Sequence, residues 1–185
     1  TIFFDIVIAP SFDKEAIVIF SKKKNLRILK LSGYKPSPFS IKTISGGSLG
    51  QQNDMSSLRS KSLSFPTNKK PTPSQISSLL LAWKVVKHTK SNAIVVAKNN
   101  KIISISGGQT SRVDATNIAF KKTDIPKNCV VASDAFFPFK DSIETMAHYG
   151  VSAIVQPGGS IRDKEVIDSC DKNTFSFPFI TKYPP

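Results

Sequence analysis

The sequence predicts an α/β protein, a three-layer α/β/α sandwich around a mixed sheet. Three observations lead there. Short apolar runs of strand length alternate with stretches of helical periodicity, the first of them form a β-α-β pattern, and one later pair is joined by a short Asn-containing turn. The β-α-β unit favours parallel pairing with a right-handed crossover, and the turn places an antiparallel pair beside it.

Element by element, Ile2 to Ala9 reads as a strand built on Phe3-Phe4-Asp5-Ile6-Val7-Ile8 and ended by Pro10. A helix from about Asp13 to Phe20 and a strand from Leu26 to Leu31 complete the unit. From Gly33 to Lys70 the chain is rich in Ser, Pro, Gly and Gln, and reads as a long connection with a strand near Phe39 to Ile44 and a Gly46-Gly47 turn. Thr72-Pro73-Ser74-Gln75 then supplies an N-cap, a proline at the first helical position and the partner of a capping box. The helix runs to about Lys87, with Ile76, Leu79, Leu80, Trp83 and Val86 as its buried stripe and Lys84, Lys87 and the serines outward.

Ala93 to Ala97 is an apolar strand, Lys98-Asn99-Asn100 a turn, and Lys101 to Ile105 the hairpin partner. Ser111 opens a helix to about Lys122 after Gly107-Gly108. Cys129 to Ala132 is the next strand, Asp141 caps a helix stopped at Gly150, and Val151 to Val155 is a buried strand. Pro157-Gly158-Gly159-Ser160 turns into a last helix from Arg162 to Cys170.

With 185 residues and 39% hydrophobic content the chain can bury a real core. It holds no apolar run near the ~18 residues of a membrane span and no signal-like start. Thr1 in place of an initiator Met points to sequence upstream. The net charge of +13 is uneven: residues 1–90 hold 15 Lys+Arg against 4 Asp+Glu, residues 91–185 hold 11 against 9. Such an excess attracts anionic metabolites, nucleic acid or acidic protein without choosing among them. Lys22-Lys23-Lys24 reads as a solvated helix end, and Cys129 and Cys170 as buried thiols rather than a disulfide.

Four pieces carry chemistry. Asn92, between a helix and a strand, offers an amide donor and acceptor to a carboxamide or formyl group, or else only caps a helix end. Gly107 to Arg112 brings backbone N–H groups and a guanidinium together at a helix start, suiting a planar polar or anionic ligand, or else is a plain turn with a surface Arg. Phe136-Phe137-Pro138-Phe139 reads as a stacking platform with Asp141 as acceptor, or as a loop folded into its own core. Gly158-Gly159-Ser160 permits close backbone approach. GxGxxG, Walker, GxSxG and zinc-deaminase patterns are missing, and with only His88 and His148 no metal site is expected.

Taken in order, Trp83-Lys84-Val85-Val86-Lys87-His88-Thr89-Lys90-Ser91-Asn92-Ala93-Ile94-Val95, Gly107-Gly108-Gln109-Thr110-Ser111-Arg112-Val113, Ser133 to Asp141 and Gln156 to Asp163 resemble the AICAR transformylase domain of the bifunctional transformylase/cyclohydrolase family. Weaker similarity spans about residues 3–171. The resemblance implies cytidine-deaminase-like subdomains: residues 1–70 as the end of the first and its connection, 71–172 as the second, and 173–185 as a divergent tail. It implies formyl transfer from formyl-tetrahydrofolate, the co-substrate, to AICAR in de novo purine (IMP) biosynthesis, at sites across a homodimer interface, in the cytoplasm or a plastid. By resemblance Asn92, Arg112 and Phe136 meet the nucleotide, with Asn92 the catalytic member present, and Val113, Asp141, Ser160 and Ile161 meet the folate.

The sequence also departs from that family. Its catalytic Lys-His pair belongs to a K-H-x-x-P-x-G segment that this sequence does not contain, and Lys87-His88 sits in another motif and does not inherit the role. Lys140 replaces the usual Arg before Asp141, and the tail lacks the family's basic-aromatic segment. Two functional readings follow. One is part of a working formyltransferase completed by an upstream segment; the other is an inactive relative serving as a binding subunit of a large assembly, its basic first half on RNA or an acidic protein.

Overall fold

A computed structural model describes residues 3–180, and the chain divides into two units at Met55/Ser56. In the first, β1 (Ile6–Ala9) pairs in parallel with β2 (Arg27–Lys30), Ile6 opposite Arg27, and α1 (Lys14–Ser21) makes the crossover. This is the expected β-α-β unit. The strand begins later than the apolar run does; Phe3 is exposed, and Ile2 lies outside the described residues. Phe4 and Phe12 instead meet Phe20 edge-on, with centroids 6.4 and 6.2 Å away. Lys23, read as a solvated helix end, lies with its ammonium 4.0 Å from the centre of the Phe4 ring.

The connection after Gly33 holds two strands more than its composition suggested, one of them in a hairpin. β3 (Phe39–Ile44) pairs antiparallel with β4 (Gly47–Gln52) around Gly46, whose φ of 81° only glycine adopts freely. Gly-Ser-Leu-Gly-Gln-Gln has low strand propensity, so β4 exists through its turn and register rather than its side chains. Every residue of the hairpin is exposed, in keeping with its reading as a connection outside the core.

The second unit is built on a four-stranded mixed sheet ordered β7-β6-β8-β9: β6 (Ile94–Lys98), β7 (Lys101–Ser106), β8 (Val130–Ser133) and β9 (Ala153–Val155). The β6–β7 and β6–β8 pairs are antiparallel and β8–β9 is parallel. Asn99 and Asn100, with φ of 50° and 56°, make the left-handed turn between β6 and β7. Both faces are covered, which is why these strands read as continuous apolar runs. Val95, Ala97, Val130, Ala132 and Val155 meet Leu79, Trp83 and Val86 of α2 (Pro73–Lys87) on one face. Ile94, Val96, Val131 and Ile154 meet Ala115, Phe120, Met146 and Val166 on the other, from α3 (Arg112–Lys121), α4 (Asp141–His148) and α5 (Asp163–Lys172). The unit is thus a helix/sheet/helix sandwich, the predicted class.

The Thr72 capping box forms in full: the Thr72 hydroxyl accepts from Gln75 N at 3.3 Å, and Gln75 Oε1 accepts from Thr72 N at 2.8 Å. His88 is the C-cap residue. Ser78 corrects the expectation that the helix serines face outward: it is 2% exposed, and its hydroxyl accepts from Asn100 N at 3.1 Å, tying α2 to the hairpin turn. Ala82 is buried while Leu80 is only half-buried, so the packed stripe is rotated from the predicted one. Asp141 is not the cap of α4. Lys140 holds that position, and the Asp141 carboxylate accepts from Ser142 N at 2.6 Å within the first turn, where it still complements the helix dipole.

The described part of the tail that the sequence set apart, residues 173–180, runs back into the core. β10 (Phe179–Ile180) pairs antiparallel with β5 (Leu63–Ser64), bridges join Ala153 to Ser176 and Gln156 to Phe179, and Phe175 and Phe177 are buried. The alternation Phe175, Phe177, Phe179 is a strand pattern carrying aromatic rings to one side. Cys129 and Cys170 are free and buried, as read from their surroundings.

Candidate functional site

Sheet register gathers the chemistry-bearing loops at one end of the second unit. Ile94 at the start of β6 lies opposite Ser106 at the end of β7 and Ser133 at the end of β8, and Ala132 lies opposite Val155 at the end of β9. The segments holding Asn92, Gly107–Arg112, Asp134–Asp141 and Gln156–Ser160 therefore leave or enter the sheet at the same edge. In open α/β sheets ligands bind at such an edge.

Two of these segments dock on each other through backbone. Gly108 N donates to Lys90 O at 2.6 Å, Asn92 N to Gln109 O at 3.2 Å and Gln109 N to Asn92 O at 3.4 Å. Gly107 is required for this contact, because a Cβ there would fall 2.4 Å from Thr89 Cγ2 and 3.0 Å from Lys90 O. The Asn92 side chain follows the same partner: its Nδ2 donates to Gln109 O at 3.0 Å. That bond orients the amide toward the second loop and leaves Oδ1 as an acceptor. Asn92 is a loop-to-loop tie, not a helix cap.

Arg112 is not a surface arginine. It is 7% exposed, its Nη1 donates to Ala93 O at 3.0 Å, and the same nitrogen pairs with Asp134 Oδ1. Asp134 also accepts from Ala93 N at 2.8 Å and from the Ser91 hydroxyl. Asp134 falls inside the Ser133-to-Asp141 motif, yet sequence reasoning gave it no role. The available signal was an acidic residue at the end of a buried strand, Val130–Ser133, where a half-buried carboxylate must find partners.

The aromatic loop divides between its two readings. Phe137 is fully buried in the core against Phe177, with centroids 6.3 Å apart, whereas Phe136 and Phe139 are 41% and 47% exposed. The buried Gln156 side chain joins this loop to the next, its Oε1 accepting from Phe137 N at 2.7 Å. Arg162 adds a second tie, its guanidinium 4.7 Å above the Phe139 ring. Asp141 at the start of α4, and Ser160 and Ile161 in the next loop, thus stand on segments joined by these two contacts. The Ser160 hydroxyl accepts from Arg162 N at 3.1 Å, Gly159 N donates to Asp163 Oδ2 at 2.7 Å, and Ile161 is fully exposed. Val113 is half-buried on the first turn of α3.

A groove of about 420 Å³ between α4 and α5 lies beside this edge, lined by Lys140, Glu144, Lys164, Asp168 and Lys172. Four of its charges pair with one another, Lys140 with Glu144 at 3.0 Å and Lys164 with Asp168 at 2.8 Å, and none of the predicted contacts lines it. Among the described residues no group of three His, Cys, Asp or Glu side chains could hold a metal ion, and no helix is long and apolar enough to cross a membrane.

Comparison with known proteins agrees with the family resemblance read from the sequence. The family model described as AICARFT/IMPCHase bienzyme matches residues 1–122. The chain belongs to the AICARFT/IMPCHase family. Its relatives include the bifunctional purine biosynthesis protein PurH of Aquifex aeolicus, 46% identical over 184 residues, which are 97% of this chain and 36% of that protein. PurH of Caldicellulosiruptor saccharolyticus is 46% identical over 181 residues, 96% of this chain and 35% of its own length. PurH of Prochlorococcus marinus (strain AS9601) is 46% identical over 185 residues, 98% and 36%. This AICARFT/IMPCHase member therefore spans about 36% of the length of the curated relatives it matches.

Proposed function

We propose that the chain is part of an AICAR formyltransferase of de novo purine (IMP) biosynthesis, taking its formyl group from formyl-tetrahydrofolate. The observation that carries the reading is the convergence of four loops, each bearing predicted contacts, at one end of the β7-β6-β8-β9 sheet. In this reading Asn92 and Arg112 face the nucleotide, with Asn92 Oδ1 accepting from its amine or carboxamide and Phe136 lying against its heterocycle. The folate side is Val113, Asp141, Ser160 and Ile161. An exposed carboxylate, Asp141, together with the exposed side chain of Ile161 suits a pterin, which presents N–H donors along one edge and a flat apolar face. Formyl-tetrahydrofolate supplies the activated one-carbon unit; this chain's residues bind, orient and exclude water.

The K-H-x-x-P-x-G pattern of the family does not occur in the sequence, so the proton-transfer work falls to residues elsewhere in the working enzyme. Residues 1–70 then belong to the end of one subdomain and 71–172 to a second, cytidine-deaminase-like one, and two copies together form the complete sites. The test is formyl transfer with AICAR and formyl-tetrahydrofolate, measured with the chain alone and with the remaining residues of a PurH relative added. Binding of both substrates by the chain, with turnover appearing on addition, is expected. Absence of nucleotide binding under either condition removes the reading and favours the binding-subunit alternative.

A further inference from the structure

We infer that Asp134 is the positioning residue of this site, holding the Arg112 guanidinium and the segment that carries Asn92 in one arrangement. The inference rests on Asn92 and Arg112 being nucleotide contacts, and it adds the residue that sets their geometry. One carboxylate makes three contacts: Oδ1 accepts from Ala93 N at 2.8 Å and from Arg112 Nη1, and Oδ2 accepts from the Ser91 hydroxyl. Ser91 and Ala93 are the two neighbours of Asn92, so the carboxylate grips the Asn92 segment on both sides. Arg112 Nη1 closes the ring by donating to Ala93 O at 3.0 Å.

The guanidinium depends on this arrangement. Its Nε is buried without a hydrogen-bond partner among the described residues, so Nη1 is the anchored nitrogen, shared between Ala93 O and Asp134. With the carboxylate gone, one neutral carbonyl remains to orient a buried fork, and the fork is free to turn. Because a single anion fixes both the guanidinium and the Asn92 flanks, its loss displaces two nucleotide contacts together. That coupling separates positioning from simple support of the fold.

The probe is AICAR, titrated calorimetrically into the full chain and into its Asp134→Asn, Arg112→Lys and doubly substituted forms. Arginine Nε–H resonances of the ¹⁵N-labelled proteins are recorded in parallel. Asp134→Asn is expected to weaken AICAR at least tenfold, Arg112→Lys comparably, and the double variant no further than the weaker single one. The Arg112 resonance, identified by its loss in Arg112→Lys, is expected to shift and exchange faster in Asp134→Asn. Additive losses, or a resonance unmoved by Asp134→Asn, overturn the inference. If the unsubstituted chain takes up no AICAR, the functional reading falls, and the resonance still decides: movement supports Asp134 as the anchor of Arg112, and no movement overturns it. Should Asp134→Asn fail to fold, Ser91→Ala, which removes only the hydroxyl on Oδ2, takes its place. Several-fold weaker binding is then expected, and unchanged binding overturns the inference.

Discussion

Arg112 at the start of α3 and Asp134 just beyond β8 form an ion pair whose side chains are only 6% and 13% exposed. The pair fastens a helix on one face of the sheet to the edge where the candidate site lies. Buried pairs of this kind lose much on the removal of one partner, because the remaining charge is stranded in a poorly solvated place.

Asp134→Ala and Arg112→Ala are each expected to destabilise the second unit by about 3–5 kcal/mol. Replacing both residues with apolar ones of similar size is expected to cost much less than the sum. Urea unfolding followed by fluorescence of Trp83, the one tryptophan and a buried core residue, reads the difference.

Phe136 and Phe137 are neighbours with opposite fates. Phe137→Ala empties a fully buried site and is expected to cost about 3–5 kcal/mol. Phe136→Ala removes a half-exposed ring and is expected to change stability by less than about 1 kcal/mol while weakening AICAR binding. Paired unfolding and binding measurements on the two variants distinguish core from platform.

Gly107→Ala places a methyl group against Thr89 and the Lys90 carbonyl, forcing apart the two loops that hold Asn92. A loss of about 1–3 kcal/mol is expected, with nucleotide binding lost. Gly50→Ala, where an added Cβ meets nothing within 4 Å, is the control and is expected to leave binding intact.

Thr72→Ala removes one half of a complete capping box and is expected to cost about 1 kcal/mol. Gln75→Ala loses the other half together with the hydrogen bond from Gln75 Nε2 to Ser152 Oγ at 2.9 Å, so its cost is expected to be larger. Midpoints of urea unfolding order the two variants.

Burial pushes the Cys129 thiol up from 9.0 to about 11, and burial likewise raises that of Cys170. Both are expected to resist thiol reagents at neutral pH until the chain unfolds. The unfolded chain loses the Cys129 proton first as pH rises past 9, so it binds fewer protons than the native state between 9 and 11. Stability from this group is therefore full below pH 9 and falls across that window, by roughly 2 kcal/mol. A stability–pH curve for Cys129→Ala, compared with the unsubstituted chain, is expected to fall less steeply there.

Elements whose cause is local are legible in the residues themselves. The Thr72 box needs only four residues in order, the Asn99-Asn100 turn needs two that tolerate positive φ, and strands covered on both faces announce themselves as apolar runs. β4 is not legible in this way, since nothing in Gly-Ser-Leu-Gly-Gln-Gln favours a strand until the preceding turn folds it onto β3. Ser78 and Asp141 escape sequence reasoning for a related reason. A serine at helical spacing looks solvated until a turn donates to it, and an Asp near a helix start looks like a cap until the neighbouring lysine takes that position.

By itself the sequence determined the α/β class and the order of the main elements, and it named the loops proposed to carry chemistry. Each of these follows from residue type and spacing within one segment. Only the tertiary structure decided that those loops meet at one edge, that Arg112 is spent on Asp134 rather than exposed, and that the tail threads back into the core. These are pairings between residues far apart in sequence, as in the contact of Ser64 with Phe179, 115 positions away. They arise because buried polar groups and unpaired strand edges must be satisfied by whatever the folded chain brings within reach.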